Sequence, residues 1–217
     1  MKVECGQYRG VSTTETEGRV ARKRGRRMQE IVAVAAELFG ERGYDAVSLD
    51  DVAERLDVTK GSLYHYFSGK EELGSAAIEA LGTTWTARLA ELVERVGGPP
   101  GVRLRVLVRE QLIVAVRDHP AGLGLFLVPD AWPDAQRAVI KELRRRHDRL
   151  FRDIVEEGIA SGEFVVVDVD TTLHCLHAAM TQASLWYRGL HGARLDNALD
   201  GLAATLMMLV GQRPAPG

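Results

Sequence analysis

The chain has 217 residues, 46% of them hydrophobic and 27% charged, with a formal net charge of −2. That balance belongs to a soluble globular protein with room for a substantial core, and it excludes a uniformly basic coat for nucleic acid. No apolar run reaches the roughly 18 residues of a membrane span, and no apolar core follows the N-terminal charges as in a signal peptide. Cys5 and Cys175 make no disulfide framework, so the expectation is a cytoplasmic protein with no membrane partner.

Residues 1–18 lack periodicity and read as a flexible tail. A basic arm follows, with Arg19, Arg22, Lys23, Arg24, Arg26 and Arg27 clustered as an anchor for phosphate. Met28, Ile31, Ala35, Leu38 and Phe39 recur at helical spacing and predict an amphipathic helix over 26–40, closed by a left-handed Gly43.

Residues 48–70 carry the densest set of start signals. Ser48 caps one short helix, with Asp50 and Asp51 in its first turn and Val47 and Val52 as a staple. Thr59 caps a second, stapled by Val58 and Leu63, and Ser68 with Glu71 forms a capping box for a third. Only 56–58 separate the first two helices, which makes the pair a helix-turn-helix. Its second helix presents Thr59, Lys60, Gly61, Ser62, Tyr64, His65 and Tyr66 to a DNA groove, while Leu63 and Phe67 point inward. Gly61 permits close backbone approach, Ser62 and Thr59 are short donors, and Tyr64 and Tyr66 can donate to phosphates. Lys60 and His65 are the expected base readers, and Lys70 grips phosphate.

The next helix, over 69–96, has a seam of Leu73, Ala77, Leu81, Trp85, Leu89, Leu92 and Val96, and stops at Gly97-Gly98-Pro99-Pro100. A run of that length spans roughly 40 Å, enough to join a small head to a separate body. In the body, 104–116 is apolar on more than one face and ends at His119-Pro120. A short apolar piece over 121–128 and a Pro-bounded loop over 129–133 precede an amphipathic helix over 133–161. Its Arg144-Arg145-Arg146 run reads as a solvated face. The run 164–167 reads as extended or loop-like. Asp170 is expected to cap a helix running to about 188, and a last helix over 195–210 is apolar nearly all round. That residual face predicts a second copy of the chain and a four-helix interface. No strand pair or repeat appears, so the chain is read as all-α.

The stretches A-x-x-L-F-x-E-R-G-Y (35–44), V-S-L-D-D-V-A (47–53) and V-T-K-G-S-L-Y-H-Y-F-S-G-K-E-E-L (58–73) resemble the TetR family of one-component transcriptional regulators. The resemblance covers roughly the first third of the chain. It implies an N-terminal three-helix helix-turn-helix domain and a C-terminal helical ligand-binding and dimerisation domain. It also implies a homodimer on a palindromic operator in double-stranded DNA, usually a repressor, weakened by a small-molecule effector. The family motif carries Ser48, Thr59, Gly61, Ser62, Tyr64, His65, Tyr66 and Lys70 over as DNA-binding positions. The resulting division is a tail (1–18), a DNA-binding domain (19–72), a ligand-binding and dimerisation domain (73–212) and a second tail (213–217).

Bundle pockets lie between helices, and Trp85, His119, Phe126, Trp132, His177, Met180, Trp186 and Arg188 are candidate lining residues by size and position. Trp132 is the least core-like of them. Asp170, His174 and His177 share a helix face at ligand spacing but lack a fourth ligand, so neither metal nor cofactor is expected. Trp186-Tyr187-Arg188 is similar to members that sense acyl-CoA thioesters, with Arg188 the partner for phosphate or carboxylate; drugs and hydrophobic metabolites are the other effectors the resemblance leaves open. No G-x-S-x-G, H-E-x-x-H, P-loop or G-x-G-x-x-G occurs, so an enzyme is not expected. The alternatives are a helical small-molecule-binding dimer without specific DNA binding and, last, a helical enzyme.

Overall fold

The computed structural model describes residues 13–118 and 132–211, and no strand occurs among them. The helices run in order as α1 (Thr13–Arg42), α2 (Leu49–Arg55), α3 (Lys60–Tyr64), α4 (Lys70–Val96), α5 (Pro100–Ile113), α6 (Asp134–Ala160), α7 (Val169–Trp186) and α8 (Gly192–Met207). A π-helical turn, Val114–Asp118, extends α5, and a 3-10 turn, Met208–Val210, follows α8. No helix among the described residues is long and apolar enough to cross a membrane. The expected segment 121–128, with His119, Phe126 and both chain ends beyond 13 and 211, lies outside the described residues.

Helix α1 starts at Thr13, inside the stretch read as a tail to Gly18. Its first half carries no apolar stripe, so periodicity could not find it, although its Arg, Lys and Glu are good helix formers. Its second half buries Ile31, Ala35, Leu38 and Phe39 against α2, α3 and α4.

Caps behave as the chain chemistry dictates, with two shifts of position. The Ser48 side chain accepts from Asp51 N–H while Asp51 Oδ2 accepts from Ser48 N–H at 2.8 Å, a full capping box. Ser68, by contrast, pairs with Glu72 rather than Glu71: its N–H and Oγ donate to Glu72 Oε2 at 2.6 and 2.7 Å. Because α4 begins at Lys70 with Gly69 as its cap, Glu72 and not Glu71 holds the third helical position that a box requires. Likewise Asp168, not Asp170, caps α7, accepting from Thr171 N–H at 2.7 Å. Asp170, already inside the helix, receives Arg152 at 2.6 Å instead.

Two large cores result. The head core gathers Ile31, Leu38, Phe39, Tyr44, Val52, Leu63, Phe67, Leu73 and Ile78, and the body core gathers Leu104, Leu107, Leu112, Phe151, Leu176 and Leu199. Trp132, Ile140 and Leu143 belong to the head core although they come from the start of α6 and the residue pair before it. Trp132 is only 4% exposed, which reverses its reading as the least core-like aromatic. The ring packs among the apolar side chains of the head core, a long-range contact that sequence spacing does not display.

Where the body closes, Gly158 on α6 lies under Phe164, and a Cβ there would clash with the ring. Gly158→Ala should therefore cost about 1–3 kcal/mol through overpacking, read as a lowered urea midpoint with an unchanged slope.

Candidate nucleic-acid interface and interior pocket

The turn between α2 and α3 is tight because Asp57 takes a left-handed conformation, φ 53°, which a short polar side chain tolerates. Thr59 then caps α3: its Oγ1 accepts from Ser62 N–H at 3.3 Å and lies 2.9 Å from Ser62 Oγ. Leu63 and Phe67 are buried as expected, which turns the remaining α3 residues outward. Thr59, Lys60, Gly61, Tyr64 and His65 are exposed, and Ser62, Tyr66 and Lys70 half-buried. A Cβ on Gly61 would meet only Thr59 Oγ1 at 3.9 Å, so the approach to its backbone is open.

The cations on this face already have partners. Lys60 Nζ sits 2.6 Å from Asp50 Oδ2, a bond that raises its pKa, and both side chains remain largely in solvent. Lys70 Nζ lies 4.2 Å over the Tyr44 ring and 3.4 Å from the Asp45 carbonyl. Ser48 is spent on its capping box, and its bonds hold the Asp51 carboxyl below the usual range. Arg24 was not singled out within the basic arm, yet it donates to the His65 carbonyl at 3.1 Å and lies over the Tyr66 ring at 5.4 Å. It caps the end of α3 and lays the arm across the recognition helix. The run of six cations was visible in the sequence; which one reached α3 depended on the helix phase of α1.

In the body, a cavity of about 500 Å³ opens between α4, α5, α6 and α7. Gly82, Trp85 and Thr86 line it from α4, Gln111 from α5, and Met180 and Thr181 from α7. Helix α6 contributes Leu143, Arg144, Arg145, His147, Asp148 and Arg152, and α7 adds Asp170, His174 and His177. Of the expected lining residues, Trp85, His177 and Met180 are brought together here. Trp132 lies in the head core, and Trp186 and Arg188 lie exposed at the end of α7, apart from the cavity. The Arg144-Arg145 pair, read as a plain solvated face, stands at the cavity's edge. Gln111 and His147 gave no pattern signal, because a buried polar pair has no periodicity.

His147 Nε2 and Gln111 Oε1 are 3.0 Å apart, with Gln111 6% exposed. Burial, with His177 beside it, pushes the His147 pKa down to about 3. Burial also lowers His177, against the opposing pull of Asp148, whose Oδ1 lies 3.2 Å from Nε2 without forming a hydrogen bond. No group of three or more His, Cys, Asp or Glu among the described residues is placed to hold a metal ion.

Residues 31–77 match the model described as bacterial regulatory proteins, tetR family, and residues 97–194 match the tetracyclin repressor-like C-terminal domain. The chain belongs to the TetR family. Among TetR relatives, the HTH-type transcriptional repressor KstR2 of Mycobacterium tuberculosis is 27% identical over 178 residues, 78% of this chain and 86% of that protein. The solved structure of that ketosteroid transcriptional regulator shares the fold with a TM-score of 0.72 at 21% identity, covering 87% of this chain and 96% of its own. Two further TetR-fold neighbours were solved with ligands. AibR, in complex with isovaleryl coenzyme A and operator DNA, has a TM-score of 0.71 at 19% identity, covering 86% of this chain and all of its own (100%). FadR from Bacillus subtilis, in complex with stearoyl-CoA, gives 0.66 at 19% identity, covering 84% and 96%.

The buried imidazoles make a pH prediction. Both have folded pKa values below the ordinary 6.5, so the unfolded chain takes up protons that the folded chain refuses. Their contribution is complete above about pH 6.5 and is lost progressively as pH falls toward the folded values. Urea midpoints should therefore drop between about pH 7 and pH 5, above the carboxylate range. His147→Gln should flatten that drop, and an unchanged slope would contradict the burial of this ring.

Proposed function

We propose that this TetR-family regulator is a homodimeric repressor that holds a palindromic operator through α3 and the basic arm and leaves it when a small molecule fills the body cavity. One observation carries the ligand response. The same helix, α6, walls the cavity with Leu143, His147 and Asp148 and, one residue pair before its start, seats Trp132 in the head core. Gln136, 2% exposed, adds a hydrogen-bonded clamp, with Nε2 donating to the Glu71 carbonyl at 2.9 Å and Ser75 Oγ at 3.0 Å. Filling the cavity moves α6 against α4, and the head must follow.

Repression agrees with the role of KstR2, a transcriptional repressor. The acyl-CoA ligands of AibR and FadR favour an acyl thioester among effector classes over a purely apolar metabolite. Two copies are supported by Leu185, Trp186, Met208 and Leu209, which are 56%, 56%, 78% and 42% exposed where α7 and the turn after α8 meet. Large apolar side chains grouped on one end are the mark of an interface.

A mobility-shift assay with DNA upstream of the chain's own gene tests the regulator reading. Specific retardation over competitor DNA is expected. Lys60→Ala should relax base preference, whereas Lys70→Ala should weaken all sequences alike and lower the salt slope by about one. Loss of preference in neither variant would remove α3 as the reader.

The dimer has its own measurement. Trp186→Glu should place a charge in the interface and shift sedimentation toward the monomer while far-UV dichroism stays helical. A wild-type chain that sediments as a monomer at micromolar concentration would refute the two-copy reading.

A further inference from the structure

We infer that the cavity takes an amphipathic acid, with its apolar body against Trp85, Leu143 and Met180 and its anionic group paired with Arg144. The inference rests on reading this cavity as the effector site and narrows the effector to a chemical class.

Most charges at the cavity are already committed to one another. Arg152 is engaged by Asp170 at 2.6 Å and by Asp148 at 3.4 Å, so both lining carboxylates already have a cation. Arg145 is taken by Glu142 at 2.6 Å, which also holds Arg146 at 2.8 Å. Arg144 alone among the lining guanidinium groups has no carboxylate within ion-pair distance among the described residues, yet it is close enough to disfavour a charge on His177. A cationic ligand would have to break the Arg152 pairs to find a carboxylate. An anion finds Arg144 unpaired, without displacing any ion pair. The lining also offers buried apolar surface: Trp85 is 8% exposed, Leu143 6% and Met180 1%, from three different helices. At about 500 Å³ the space suits a small ligand of metabolite size. The planar guanidinium matches either a carboxylate or a phosphate in a bidentate manner.

The test compares three probes of one chain length on the full-length protein by isothermal titration: decanoate, decanoyl-CoA and the neutral decanamide. At least one anionic probe is expected to bind about tenfold tighter than decanamide, as a hydrogen-bonded charge pair implies. Arg144→Gln should abolish that preference, while Arg149→Gln, an exposed change on the same helix outside the cavity, should keep it. A preference confined to decanoyl-CoA assigns the anion to phosphate, and one shared by decanoate assigns it to carboxylate; both support the proposal. Equal affinity for decanamide, a preference that survives Arg144→Gln, or no binding of any probe overturns it. Operator release measured on the same samples keeps the two readings apart. If decanamide frees the DNA as well as the acids do, the ligand-responsive repressor stands and the acid-specific pocket falls.

Discussion

The seat of Trp132 is the contact on which the arrangement of head and body depends. Its ring centroid lies 4.7 Å from that of Tyr44 and 5.5 Å from that of Phe39, edge-on to the latter. Tilted and edge-to-face rings at these separations gain beyond simple burial, and truncating such a tryptophan costs about 3–5 kcal/mol. That exceeds what the exposed ion pairs of the head can supply, since each contributes about 1 kcal/mol or less. The head is thus completed by a side chain that arrives from the body, and its position follows that side chain. Gly74 shows how close the fit is. A Cβ there would stand 3.0 Å from the Tyr44 ring and 3.3 Å from Trp132, so α4 can pass only with a hydrogen at that point.

Tyr44 extends the connection outward. Its other neighbour is Lys70, which holds its ammonium over the same ring and is one of the expected phosphate contacts. A displacement of Trp132 is therefore passed to Lys70, a cation of the proposed DNA face, through one intervening ring. At the opposite end, Gly82 allows α4 to lie against Leu143, where a Cβ would meet the side chain at 2.8 Å. Gly82 and Leu143 both line the cavity. Between the cavity and the head, α4 and α6 are packed too tightly to absorb a shift locally, which is the condition for passing a small displacement along.

The legible part of this structure is the part made from local rules. Ser48 and Thr59 cap the helices predicted for them, Val47 and Val52 are buried as a staple pair, and Gly43 takes a positive φ of 81°. Each of these depends on residues a few positions apart. The errors are of two physical kinds. Helix starts slipped by one or two residues at Ser68 and Asp170, because an adjacent acid could serve the same cap. Long-range choices were hidden altogether: that Trp132 would fill the head, that Arg24 would reach His65, and that Arg144 would face a cavity while its neighbours paired with Glu142. Nothing in the spacing of a single segment encodes which distant surface completes it. The exposed Trp186 illustrates the converse, since a large aromatic at helical spacing reads the same whether it lines a pocket or an outer face.

A net charge of −2 poses a problem for a chain that binds DNA, and the structure answers it by concentration and exchange. Asp50 and Asp51 are needed in the first turn of α2 for its cap and dipole, yet Asp50 stands beside Lys60 on the face proposed for DNA. Asp51 is hydrogen-bonded by Ser48 and paired with Arg42, and Asp50 is paired with Lys60. The Lys60 pair is exposed on both sides, so breaking it costs little in water. On the proposed operator a guanine or phosphate would replace Asp50 as the partner of Lys60, leaving the carboxylate beside the duplex, where it would repel every phosphate equally. Favourable contact is then left to sequences in which the lysine finds a good acceptor. In the proposed complex Asp50 would convert a general attraction for DNA into a preference among sequences, while the arm anchored by Arg24 would supply attraction without discrimination.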